Sequence, residues 1–128
     1  NNDNDYKSII KIINLWENNS HVIIKKNFGL EAYFSVIDNA EFLVGNSSSF
    51  LIEAPYFKKI IFNIGDRQKG RERESNVLTL PVNLKTISKI FSIYEKKIFS
   101  LGKFKYIFGN GKAIYKISHH INKYLNEK

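Results

Sequence analysis

The sequence predicts an α/β layered fold built on a parallel sheet, and three observations predict it. Short runs rich in β-branched and aromatic residues stand at 21–24, 41–44, 60–64 and 76–80. Around them, apolar residues repeat with the 3.6-residue period of helices, and strands alternating with helices at this spacing call for parallel pairing. Finally, 128 residues of which 43% are hydrophobic and 14% aromatic are enough to bury one core.

Taken in order, Asp5 is placed to cap a helix running to about Asn18, with Ile9, Ile10, Ile12, Ile13 and Trp16 on its buried face. His21-Val22-Ile23-Ile24 reads as a short buried strand, and residues 25–29 as the loop after it. A second helix over 30–39 should turn Leu30, Phe34 and Ile37 inward. The strand at 41–44 feeds the turn Gly45-Asn46-Ser47-Ser48-Ser49, and residues 50–57 have the spacing of a short helix. Pro55 should end or kink that helix, because proline lacks an N–H and its ring clashes with the preceding turn. Strand 60–64 leads into a charged loop over 65–75, and strand 76–80 stops at Pro81. Leu84, Ile87, Ile90, Phe91, Tyr94 and Ile98 keep a helical period over four turns. A loop over 102–111 precedes a last amphipathic helix at 113–125. No repeat, low-complexity linker or change of composition divides the chain, so one domain over 1–128 is expected.

Composition excludes several classes. With no cysteine there is no disulfide framework, thiol nucleophile or cysteine-type zinc site, and a reducing, cytoplasmic setting is expected. No apolar run approaches the roughly 18–20 residues of a membrane span. The net charge of +8 is spread over helices rather than gathered in a stripe, so nucleic acid is not the expected partner. The opening Asn1-Asn2-Asp3-Asn4-Asp5 is neither a signal peptide nor a start at Met, which reads as a fragment.

Ligands of parallel sheets bind outside the carboxyl ends of the strands. Loops 25–29, 45–49 and 65–75 all follow expected strands, so all three should share one edge. Ser47, Ser48 and Ser49 could cap the following helix, bind phosphate oxygens, or both. A helix dipole there would favour an anion by about 0.3–2 kcal/mol. Glu53 lies one helical turn beyond Ser49, and an acceptor-only carboxylate suits a pair of sugar hydroxyls. Arg67, Lys69, Arg71 and Arg73 crowd one loop, partly neutralised by Glu72 and Glu74. One of its arginines is expected to bind phosphate with its bidentate fork. Gly109-Asn110-Gly111-Lys112 lacks Walker spacing and reads as a turn. His119 and His120 are adjacent on a helix and cannot chelate together, and His21 begins an expected strand with no catalytic triad standing out around it. The residues therefore describe a binding half-site for a phosphorylated ligand and no chemistry.

Gly45-Asn46-Ser47-Ser48-Ser49 with Glu53-Ala54-Pro55, followed by Asn63-Ile64-Gly65-Asp66-Arg67-Gln68-Lys69-Gly70-Arg71, resembles the signature of UDP-N-acetylglucosamine 2-epimerases. The resemblance is closest to the hydrolysing branch of sialic and legionaminic acid synthesis. Phe104 through Ala113 is similar to the segment before that family's last helix. The resemblance implies the C-terminal, UDP-binding half of a glycosyltransferase-B type fold, Rossmann-like and N-terminally truncated, with no cofactor or metal. It further implies that Ser47 and Ser48 bind the phosphates, Glu53 the ribose and Arg67 the ligand from the other side. Phe28 and Tyr33 would cradle the uracil, and Asn1 would line the cleft. The partners implied are a UDP-sugar and the missing N-terminal half, which supplies the catalytic acids and histidine; no catalytic residue falls in this chain. The family's C-terminal half starts with further strands near the middle of the sheet. Their absence here would separate the strand at 21–24 from that at 41–44 and leave exposed edges unless the chain rearranges or associates as a homo-oligomer. The alternatives are a non-hydrolysing 2-epimerase and a non-catalytic nucleotide-sugar or nucleic-acid binding module.

Overall fold

The computed structural model describes residues 6–97 and 102–127; Asn1, Asp5 and Ile98 lie outside them. Along the chain come α1 (Tyr6–Trp16), α2 (Leu30–Asn39), β1 (Phe42–Gly45) and α3 (Ser48–Ile52). A 3-10 turn over Ala54–Phe57 leads to β2 (Ile60–Ile64) and β3 (Val77–Leu80), and α4 (Lys85–Glu95) and α5 (Ala113–Asn126) complete the order. The residues divide into two compact units between Phe34 and Ser35. The second contains the whole sheet and has the α/β, Rossmann-like character expected.

β2 is the middle strand of three, paired in parallel on both sides. The register aligns Leu43 with Ile61 and Val77, Val44 with Phe62 and Leu78, and Gly45 with Asn63 and Thr79. A middle strand covered on both faces needs apolar residues in succession rather than alternation, and Ile60-Ile61-Phe62 supplies them. Ile61 and Phe62 are fully buried. Ile60, Phe62 and Leu80 form a core cluster with Ile90 of α4, and Phe42, Ile64, Leu78, Ile93 and Tyr94 close around it. Phe42 is its aromatic hub, meeting Phe62 edge-on at 5.5 Å, Phe91 edge-on at 6.2 Å and Tyr94 at 4.9 Å. The Tyr94 hydroxyl also donates to the Glu41 carboxylate just before β1. That bond, with desolvation and the carboxylate's charge, raises the phenol above its ordinary value of 10.0. The bond's contribution is present below the unfolded tyrosine's value and is lost as pH rises through the folded one.

Several expectations need correction. Residues 21–24 are not a strand. Asn19 captures the backbone instead: its side chain accepts from His21 N–H at 2.9 Å and its carbonyl from Val22 N–H at 3.0 Å. Ile23 is left exposed. A four-residue apolar run carries too little periodicity to separate a strand from an irregular segment. Ile9, Ile12, Ile13 and Trp16 of α1 are exposed, as is Leu30 of α2, whereas Ile37 is buried. The expected helix over 50–57 divides in two. α3 ends at Ile52, Pro55 sits in the first turn of the 3-10 segment where its missing N–H is harmless, and Lys58 adopts a left-handed φ of 55° to close it. α4 ends at Glu95 after three turns.

Phe62→Ala should lower the unfolding free energy in denaturant titration by about 3–5 kcal/mol. Leu84→Ala, at a fully exposed side chain, should change it by under about 0.5 kcal/mol; comparable effects from the two would contradict this core.

Candidate functional site

Parallel pairing of β1 with β2 places the residues after Gly45 and after Ile64 at the same carboxyl edge of the sheet. At Gly45 a Cβ would lie 2.9 Å from the Phe50 ring, so any larger residue would make that ring shift. Gly65 has a φ of +78°, and a Cβ on it would lie 2.9 Å from the Val82 side chain. A glycine thus ends β1 and another directly follows β2, and the left-handed φ of Gly65 lets the chain leave the sheet sharply there. The loop at 25–29 was expected on this edge because it would follow a strand; that strand is absent.

In the serine turn, Ser47 occupies the N-cap position of α3 with an extended backbone, yet its side chain makes no cap hydrogen bond. Its Oγ lies 3.0 Å from Ser49 Oγ instead. The capping role left open by the sequence is thus not taken by Ser47. α3 has only five residues, so the dipole contribution expected there is small, and local N–H and hydroxyl groups carry what attraction the turn has for an anion. Glu53 N–H donates to Ser49 O at 2.8 Å, which confirms the one-turn offset, and the Glu53 side chain is exposed.

The loop after β2 turns through Lys69 N–H to Asp66 O at 2.8 Å and Arg71 N–H to Gln68 O at 3.2 Å. Its arginines separate by environment. Arg73 donates to Thr79 Oγ1 on β3 and is committed to the sheet. Arg71 lines a small cavity of about 200 Å³ with Leu51, Ile52, Glu72 and Phe108. Arg67 is exposed at the loop's start, nearest the strand end.

Two residues here were missed by reading the sequence. Gln68 is 4% exposed and its Nε2 donates to the carbonyl of Asn46 at 2.7 Å, joining the arginine loop to the serine turn. It is the only uncharged residue with a side chain between Asp66 and Glu74, which was the available signal. Glu74, read as part of a solvated charge run, is also 4% exposed. Its two carboxylate oxygens accept from the backbone N–H groups of Lys105 at 3.0 Å and Ile107 at 2.8 Å. This holds the segment that carries Phe108 over the cavity beside Arg71.

In the other unit, Phe28 and Tyr33 lie on one open groove of about 460 Å³ with Lys26, Asn27, Gly29 and Leu30. Gly29, at a φ of +71°, turns the chain into α2, and Tyr33 N–H donates to its carbonyl at 3.0 Å. His119 and His120 are exposed on α5 with rings 5.9 Å apart, and His21 is exposed at a turn. Among the described residues, no group of three or more His, Asp or Glu could hold a metal ion, and no helix is long and apolar enough to cross a membrane.

The family model for UDP-N-acetylglucosamine 2-epimerase matches residues 1–122. The chain belongs to the UDP-N-acetylglucosamine 2-epimerase family. Among curated relatives, GDP/UDP-N,N'-diacetylbacillosamine 2-epimerase (hydrolyzing) of Campylobacter jejuni is 39% identical over 87 residues, 67% of this chain and 22% of that protein. The UDP-N,N'-diacetylbacillosamine 2-epimerase (hydrolyzing) of Legionella pneumophila is 32% identical over 87 residues, 68% of this chain and 23% of that protein. Polysialic acid biosynthesis protein P7 of Escherichia coli is 44% identical over 69 residues, 54% of this chain and 18% of that protein. The matched stretch thus spans about a fifth of each epimerase relative. In this family member the serine turn and the Arg67 loop share one sheet edge and one direct hydrogen bond.

Glu74→Ala should destabilise the fold by about 2–3 kcal/mol, since two backbone donors lose a charged acceptor but can turn toward water. Hydrogen exchange should show the amides of Lys105 and Ile107 losing protection; unchanged exchange at both would rule out the clamp.

Proposed function

We propose that this chain is the UDP-binding portion of a hydrolysing UDP-N-acetylglucosamine 2-epimerase. It would act on UDP-N-acetylglucosamine or on a related UDP-diacetamido sugar. The observation that carries the reading is the pairing of the Ser47–Ser49 turn with the Arg67 loop at one sheet edge, in a chain of this family. The relatives whose printed names end in "hydrolyzing" favour the hydrolytic branch.

In this reading Ser47 and Ser48 donate hydrogen bonds to the diphosphate, and Arg67 closes on it from the neighbouring loop. Glu53 accepts from the ribose hydroxyls, and Phe28 and Tyr33 hold the uracil. The reaction removes the proton from C2 of the sugar and breaks the bond from C1 to the diphosphate oxygen. This gives a glycal-like intermediate and UDP. Water then adds across the double bond, its hydroxyl to C1 and a proton to the opposite face of C2, to release the free 2-epimeric sugar. Charge develops on the leaving diphosphate as the C1–O bond breaks, and Arg67 with the serine hydroxyls would stabilise it where it forms. The proton transfers belong to acids and a histidine in other segments of the enzyme. His21, His119 and His120 take no part, and the 128-residue chain by itself is inactive.

Calorimetry of the intact enzyme with UDP should show Arg67→Ala weakening binding by about 10- to 100-fold, the value of a charge-assisted hydrogen bond. Glu53→Ala should weaken binding of UDP while leaving that of inorganic diphosphate unchanged. Retention of full UDP affinity by both variants would sink the site. Free UDP should accumulate with the 2-epimeric sugar; a UDP-sugar of the other configuration as product would assign the non-hydrolysing reaction instead.

A further inference from the structure

Gln68 is costly where it stands. It is 4% exposed, and while Nε2 donates to Asn46 O at 2.7 Å, its buried Oε1 has no hydrogen-bond partner among the described residues. A buried amide half-satisfied in this way stabilises a fold less than an apolar side chain of the same size. Its one hydrogen bond is also dispensable to the fold, because Asn46 is exposed and its carbonyl can turn to water. What the bond does is local. It fixes the carbonyl just ahead of Ser47 against the residue just after Arg67, bridging loops 22 positions apart. Fixing that carbonyl fixes the peptide plane leading into the serine turn, and with it the directions of the turn's hydroxyl and N–H donors.

We infer that Gln68 is a positioning residue for the diphosphate of the nucleotide, setting the serine turn and the Arg67 loop at one separation before the ligand arrives. The inference rests on the proposed UDP site. It differs from a structural role in what it predicts for stability: the amide is retained at a cost to the fold, for the sake of ligand geometry.

The test uses the intact enzyme and three measurements on Gln68→Met, which keeps the side chain's bulk and removes both polar atoms. The thermal midpoint should stay at or above that of the unsubstituted enzyme. UDP affinity should fall by about tenfold, roughly one hydrogen bond's worth of preorganisation, while uridine affinity stays unchanged. In the cycle with Ser47→Ala, the double variant should lose less UDP affinity than the two single losses summed, because part of what Gln68 does runs through the turn that Ser47 occupies. Gln68→Glu, similar in shape but without the Nε2 donor, should lose UDP affinity at least as strongly.

Additive losses in the cycle, equal losses for uridine and UDP, or failure of both Gln68 variants to fold would each overturn the inference, the last because the amide would then serve the fold at large. If Ser47→Ala and Arg67→Ala leave UDP affinity intact, the UDP site itself is wrong. If they weaken it and Gln68→Met does not, only the positioning role fails.

Discussion

The burial of β2 between β1 and β3 is the constraint on which the rest of the sheet unit depends. A strand hydrogen-bonded on both edges and covered on both faces has one register that keeps Phe62 against Ile90 and Ile61 on the opposite pleat. A slip of one residue would exchange those faces. The same register brings Gly45 opposite Asn63, and so decides that the turn after β1 and the loop after β2 begin side by side. Core packing and site placement are therefore one constraint met by the same five residues.

At the site, the loop's positive charge is divided by function rather than summed. Arg73 is tied to Thr79 of β3, Arg71 stands over an apolar cavity, and Arg67 remains exposed at the strand end. A net charge of +8 thus says little about what this edge can bind. The useful quantity is how many cationic groups are held by protein partners and how many remain for an anion.

What was legible in the sequence was whatever depends on near neighbours. The periodicities located α2 and α5, and the apolar runs located β1, β2 and β3, because each pattern is complete within its own element. The serine turn and the arginine loop were legible because hydroxyls, glycines and guanidinium groups carry their chemistry in any context. The run at 21–24 was misread because its fate was decided by Asn19, whose side chain offered the backbone a local turn. The apolar spacing of α1 was real, but periodicity states which residues share a face and not whether the face is covered. Gln68 and Glu74 were invisible for another reason. Their partners lie 22 to 33 positions away, and no local pattern distinguishes a buried amide or carboxylate from a solvated one.

The Glu74 clamp also bears on the order in which the chain assembles. It joins residues 31 and 33 positions apart, and closing a loop of that length costs about 3 kcal/mol of chain entropy before any contact repays it. Two hydrogen bonds to a carboxylate can offset such a closure only once the carboxylate is already desolvated and fixed at the entrance to β3. An order in which β3 pairs with β2 before the segment around Lys105 and Ile107 docks meets that requirement. A folding transition state for this unit should contain the sheet and not the docked segment, so that loosening the clamp speeds unfolding while leaving the rate of folding almost untouched.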